Sequence, residues 1–362
     1  MPKPEETAII TVNGAEYREW ESVTVHLEFP GIFRTFRFSV SEQSPGALTM
    51  SKLQLKPGDQ AQVHLGGELA ITGYIYERQT VLDAGRHAVL LVGQSLPGDT
   101  TRTSIDHTKL GEKGQFRDKS LVQIATELLK PYGIKVVTKG DSSKMNIPFE
   151  DAQVMPGESP FHMIERLARR SAAFIGDDNA GNFVLYGGES GGAQAGSGAA
   201  LIEGENIQSE RVVITDMELI NPGIAMGQAW GTDQKWGRDV AQQELRQKGS
   251  ATRYKPYLFL MERSLGPQRL QQELKMRLDY EMAWRDVTKI SAEIDVYGWH
   301  KPGGGLWQAA PDELVYVNSP SAMVSENLAV QAITFTQTNE GGTMTKLTCV
   351  NPAFYFGAGV QF

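Results

Sequence analysis

The sequence predicts an α+β protein, mainly β, with two small antiparallel β-barrel domains of related fold and α/β material between them. Three observations predict it. Short runs alternate apolar and polar residues at both ends of the chain, helical spacing is confined to the middle, and a strand rhythm near residue 60 returns near residue 314.

Residues 1–100 read as the first β domain. "AIITVNGAEY" carries Asn13-Gly14, a pair that favours the left-handed dihedrals of a tight hairpin. "ESVTVHLEF" and "RTFRFSVS" alternate, the latter placing Phe36 and Phe38 on one face and Arg37 and Ser39 on the other. "DQAQVHLGGELAITGYIYERQTV" and "RHAVLLVGQ" supply further strands.

Residues 101–200 change character. In "DKSLVQIATELLKPYG", Leu121, Ile124, Ala125, Leu128 and Leu129 fall at helical spacing, with Asp118 as the expected cap and Pro131 and Gly133 closing the helix. "IKVVTK" is a short strand. Ser159 and Pro160 open a second helix with Phe161, Ile164, Leu167 and Ala168 on one face, and "AAFIGDDNAGNFVLYGG" reads as a hairpin. The Gly-rich piece 187–200 reads as a surface loop.

Residues 201–285 mix strands of the second β domain with an insertion that ends in a long helix over 266–284. Residues 286–352 form that second β domain, and 353–362 are an aromatic tail. Its strands echo the first set: Pro57 matches Pro311 and Val63 matches Val317, each followed by a longer strand and a third one.

Composition excludes several functions. A net charge of −8 with dispersed Lys and Arg argues against nucleic acid as a main partner. The single cysteine, Cys349, leaves no internal disulfide and no Cys-rich zinc site, and it lies on an alternating strand as a small buried hydrophobe. No apolar run reaches membrane-spanning length, and the N-terminus lacks the pattern of a signal peptide.

The candidate catalytic motifs fail on their own chemistry. Around Ser95, "GQSLPG" has Pro97 where a nucleophile elbow needs its second glycine. His162 and Glu165 lack the second histidine of a zinc-protease helix. "DDNAGN" over 177–182 places Gly181 and Gly188 where a calcium loop needs oxygen ligands. The six histidines form no ligand cluster, and the Gly-rich loop holds no lysine for a phosphate. No catalytic residue, metal ligand or cofactor site is therefore assigned. "VYGWHKPGGGLWQAAPDELVYV" (296–317) reads as strand, glycine turn and returning strand, with Trp299 and Trp307 as packing anchors at a barrel corner or subunit interface; stacking on a sugar is the alternative.

Blocks running in order from Ala8 to Val350 resemble the baseplate hub proteins of contractile-tailed, Mu-like phages. They include "GYIYERQTV", "SLVQIATELLKPYGIKV", "FHMIERLARRSAAFIGDDNAGNFVLY", "GSATRYKPYLFL", "RLQQELKMRLDYEMAW" and "AEIDVYGWHKPGGGLWQAAPDELVYV". The wider group includes late control protein D and the hub part of VgrG. The resemblance implies a virion tail location, assembly in the bacterial cytoplasm and no catalytic residues. It implies a homotrimer whose two barrels per chain make six similar units. The implied partners are a central spike, a tail tube or tube-initiating protein, and other baseplate proteins. Phe354, Tyr355, Phe356 and Phe362 of the tail are expected to dock on the spike or on a neighbouring subunit, the alternative being that the tail folds back on its own barrel. The alternatives are a tail-associated cell-wall hydrolase or a carbohydrate-binding module using Trp299 and Trp307.

Overall fold

The structure is a computed structural model. It describes residues 6–352 apart from 19, 32–33, 43–53, 83–86, 111–113, 172, 188–198, 235, 240–242, 262–269 and 311–312. The protein is mainly β, with large antiparallel sheets and a minority of helix, as its alternating runs require.

The expected pair of closed barrels does not form among the described residues. Strands from both ends of the chain join in one open 13-stranded sheet. The joint is the antiparallel pairing of Ser22–Glu28 with the second half of Val324–Thr338, from Ala332↔Glu28 to Thr338↔Ser22. Sequence patterning fixes which face of a strand is buried. It does not choose partners about 300 residues apart, so two separate domains and one shared sheet look alike at that level.

Each half of the sheet is the same five-strand unit. In the first half the neighbours run Gln60–Leu65, Glu68–Leu82, His87–Ser95, Thr35–Glu42, Ser22–Glu28. In the second they run Leu314–Ser319, Val324–Thr338, Gly342–Val350, Ile290–Tyr297, Ser209–Ile214. The last three strands of each unit in chain order have matching lengths of 6, 15 and 9 residues. The long strand carries a β-bulge in both, between Ile75 and Glu77 and between Val330 and Ala332. A bulge is a specific local device that bends and twists its strand. Its recurrence at one position makes the sequence echo a structural repeat.

Alternation does the packing. Val23, Val25, Leu27, Phe36, Phe38 and Leu91 of the first unit and Ile294, Ile333, Phe335 and Leu347 of the second belong to one continuous apolar core.

Two smaller cores lie outside the shared sheet, one in the segment between the units and one in the insertion between Ser209–Ile214 and Ile290–Tyr297. Helices Leu121–Leu129 and Pro160–Arg170 cover a three-stranded sheet ordered Ala173–Asp177, Phe183–Gly187, Val136–Gly140. The first helix is capped by Ser120, not Asp118: Ser120 and Gln123 bond each other's backbone as a capping box, and Asp118 holds a positive φ of 50°. Ser159 accepts from His162 N at 3.2 Å and caps the second helix. The other core lies under helix Leu270–Val287, which packs on the sheet Gln243–Gln247, Gly223–Gly227, Tyr257–Leu260. The long helix thus ends at Val287, three residues beyond the expected 284, and residues 262–269 lie outside the described set.

Candidate functional site

Three segments meet at a buried polar knot. Arg34 enters strand Thr35–Glu42, and Asp177 ends strand Ala173–Asp177 of the α/β module. Arg34 Nε donates to Asp177 Oδ1 at 3.3 Å, its backbone N donates to Asp177 Oδ2 at 3.1 Å, and Nη1 donates to the Ala70 carbonyl at 3.2 Å. Nη1 also donates to Asn179 Oδ1, and Asn179 Nδ2 donates to the Leu69 carbonyl at 2.7 Å. Gln308 Oε1 reaches both guanidinium nitrogens at 3.5 Å from the second unit. Burial pushes the Asp177 carboxyl up, opposed by the Arg34 guanidinium and by the Ser95 hydroxyl that donates to it. A buried guanidinium needs this many acceptors to offset its lost hydration. The knot therefore holds the first unit, the α/β module and the second unit in one arrangement. Ser95 is buried and committed to Asp177.

The glycine turn is the second junction. Gly303, Gly304 and Gly305 have φ of +92°, +98° and +82°, which only glycine adopts without strain. Lys301 N donates to the Gly305 carbonyl at 2.9 Å, and Lys301 Nζ pairs with Glu313 at 2.7 Å. The turn rests on the first unit, where Glu68 accepts from Leu306 N at 3.2 Å and faces His300 Nε2 at 3.6 Å. Trp299 and Trp307, on its two flanks, are 0% and 1% exposed. Trp299 Nε1 donates to the Thr336 carbonyl at 3.2 Å. Neither indole offers a face to a sugar ring or to a partner. Both are anchors of the chain's own core.

The remaining candidate residues do not come together. His162 is exposed, and Glu165 pairs with Arg169 at 2.9 Å. Asp178 closes the turn at 177–182 by accepting from Ala180 N and Asn182 N at 3.0 and 2.9 Å. Among the described residues no three His, Cys, Asp or Glu side chains gather as a metal site, and no helix is long and apolar enough to cross a membrane. A cleft of about 580 Å³ opens between the α/β module and the small sheet. Its Arg166 and Arg169 are bonded to Glu158 and Glu165. Phe354, Tyr355, Phe356 and Phe362 lie outside the described residues.

What the molecule presents is edges and apolar surface. Val81, Val213, Ile214, Trp230, Trp236, Tyr254, Leu258 and Leu260 are exposed. The sequence flagged none of these positions, since exposure of a strand edge depends on which strands pair.

The order of modules along the chain matches known proteins. Residues 8–95 match the family described as Mu phage baseplate assembly protein GpP-like, N-terminal, and residues 101–187 match baseplate hub protein gp44-like, second domain. Over these two segments the chain is similar to the baseplate hub and baseplate assembly proteins of Mu-like phages. It is 24% identical over 351 residues to baseplate hub protein gp44 of Escherichia phage Mu, covering 94% of this chain and 87% of that one. Its fold is similar to the 43 kDa tail protein of prophage MuSo2 from Shewanella oneidensis, with a TM-score of 0.81, 24% identity, and coverage of 97% and 100% of the two chains. It is also similar to a tail protein from Neisseria meningitidis MC58, with a TM-score of 0.76, 18% identity, and coverage of 96% and 97%. These relatives are named as baseplate hub and tail proteins of phages.

Proposed function

We propose that the chain is a baseplate hub of a phage tail, that three copies of it close a ring of six similar units, and that the ring joins the sixfold tail tube to the threefold central spike. The observation that carries the reading is the repeat: two five-strand units with the same strand order, the same 6, 15 and 9-residue strands and the same bulge. Three such chains offer six near-equivalent surfaces to a tube with sixfold repeat. The sequence differences between the units keep true threefold symmetry for a spike.

The role is assembly rather than catalysis. The tube or tube-initiating protein binds one face and the spike the other, with further baseplate proteins around the rim, after folding in the host cytoplasm. Phe354, Tyr355, Phe356 and Phe362 supply an aromatic contact to the spike, and loss of spike capture on deleting 354–362 is its test. Image averaging of purified particles tests the ring itself. The reading expects a closed ring with six lobes in projection and threefold symmetry in detail; open chains or twofold pairs contradict it.

A further inference from the structure

Among the described residues the repeat leaves one strand edge occupied in the second unit and open in the first. On one edge of Val324–Thr338, residues 324–329 pair with Leu314–Ser319. Beyond the bulge, residues 332–338 of that same edge pair with Ser22–Glu28. The equivalent strand of the first unit, Glu68–Leu82, pairs with Gln60–Leu65 only as far as Tyr74. Past its bulge no strand lies on that edge among the described residues. The equivalent of Ser22–Glu28 is Ser209–Ile214, which pairs with Ile290–Tyr297 on one edge and with no strand on the other among the described residues.

Among its described residues each copy thus carries one open edge of each kind. We infer that residues 78–82 of one copy pair antiparallel with Ser209–Ile214 of the next, repeating between copies the pairing that joins the two units within one. The inference rests on the trimeric reading and gives it a specific contact. A head-to-tail contact of this sort uses two different surfaces and closes a ring when its rotation permits.

The repeat also fixes the register. The last residues before the bulge, Ile75 and Val330, face Gly93 and Cys349. Those face Phe36 and Ala292, which face Val25 and Val212. Val25 therefore corresponds to Val212, and, counting on from the bulge, Phe335 corresponds to Thr80. Carried across, Phe335↔Val25 becomes Thr80↔Val212, Thr334↔His26 becomes Gln79↔Val213, and Thr336↔Thr24 becomes Val81↔Arg211.

The side chains on these edges agree. Val81 is 54% exposed, Val213 43% and Ile214 53% in the isolated chain, and pairing covers them. Strand edges that stay in water are commonly guarded by Lys or Pro. Neither residue occurs in 78–82 or in 209–214.

Paired cysteines test this on the full chain. The sole native cysteine, Cys349, is fully buried and does not compete. Within one chain the side chains of Thr334 and His26 already meet at 3.0 Å, so Gln79→Cys with Val213→Cys places two thiols at an equivalent pair. Mild oxidation is expected to give covalent dimers and trimers on a denaturing gel. Gln79→Cys with Ile214→Cys, which points to the opposite face, is expected to give none. A trimeric mass in solution without cross-links overturns the edge pairing and leaves the trimer standing. A monomeric mass for the unmodified chain overturns the reading beneath it. Equal cross-linking by both pairs overturns the register.

Discussion

Arg34 and Asp177, 143 residues apart in sequence, meet at 3.3 Å inside the protein as a buried ion pair between the first β unit and the α/β module. Removing one partner strands the other charge in a site closed to water. Asp177→Ala is expected to cost about 3–5 kcal/mol, read as a lower denaturant midpoint. Arg34→Met with Asp177→Leu removes both charges and is expected to recover much of that loss. A near-neutral Asp177→Ala contradicts this account of the junction.

Trp307 is a core residue, so its truncation should act on stability before anything else. Trp307→Ala leaves a cavity beside the glycine turn, with an expected loss of about 3–5 kcal/mol by thermal or chemical denaturation. Trp299→Ala adds the loss of its bond to the Thr336 carbonyl. A fully stable Trp307→Ala protein would sink the anchor assignment.

Cys349 and Tyr280 make the fold sensitive to alkali. Burial pushes the Cys349 thiol from 9.0 to about 12 and is the main cause that takes the Tyr280 phenol from 10.0 to about 12, with the nearby Glu165 charge adding to it. Above pH 9 the unfolded chain releases protons that the folded chain retains. Stability is therefore expected to fall as pH rises from 9 to 12. Denaturation midpoints across that range check the sign. At neutral pH a thiol reagent should label Cys349 only after unfolding.

Local chemistry was legible in the sequence. Ser159 and Pro160 announced their helix, Asn13 and Gly14 their hairpin, and the match of Val63 with Val317 holds in the structure, where both lie at equivalent points of their units. Asp118 misled because its carboxylate suits a cap by type, whereas Ser120 has the extended backbone and the Gln123 partner that a capping box needs. Strand Gln243–Gln247 went unread because its outward residues are charged and only Leu245 packs inward among polar neighbours. The pairing of Ser22–Glu28 with Val324–Thr338 left no local mark, and neither did the Arg34–Asp177 bond. Both depend on partners that only the folded chain brings together. The burial of Trp299 and Trp307 follows from that same closure of the two units.

The central claim is that the repeat exists to build a ring from three copies. Its most direct measurement is the mass of the purified full chain by light scattering at several concentrations. The account predicts about 119 kDa, three times the 39.8 kDa of one chain. A mass that stays at 39.8 kDa at every concentration contradicts it.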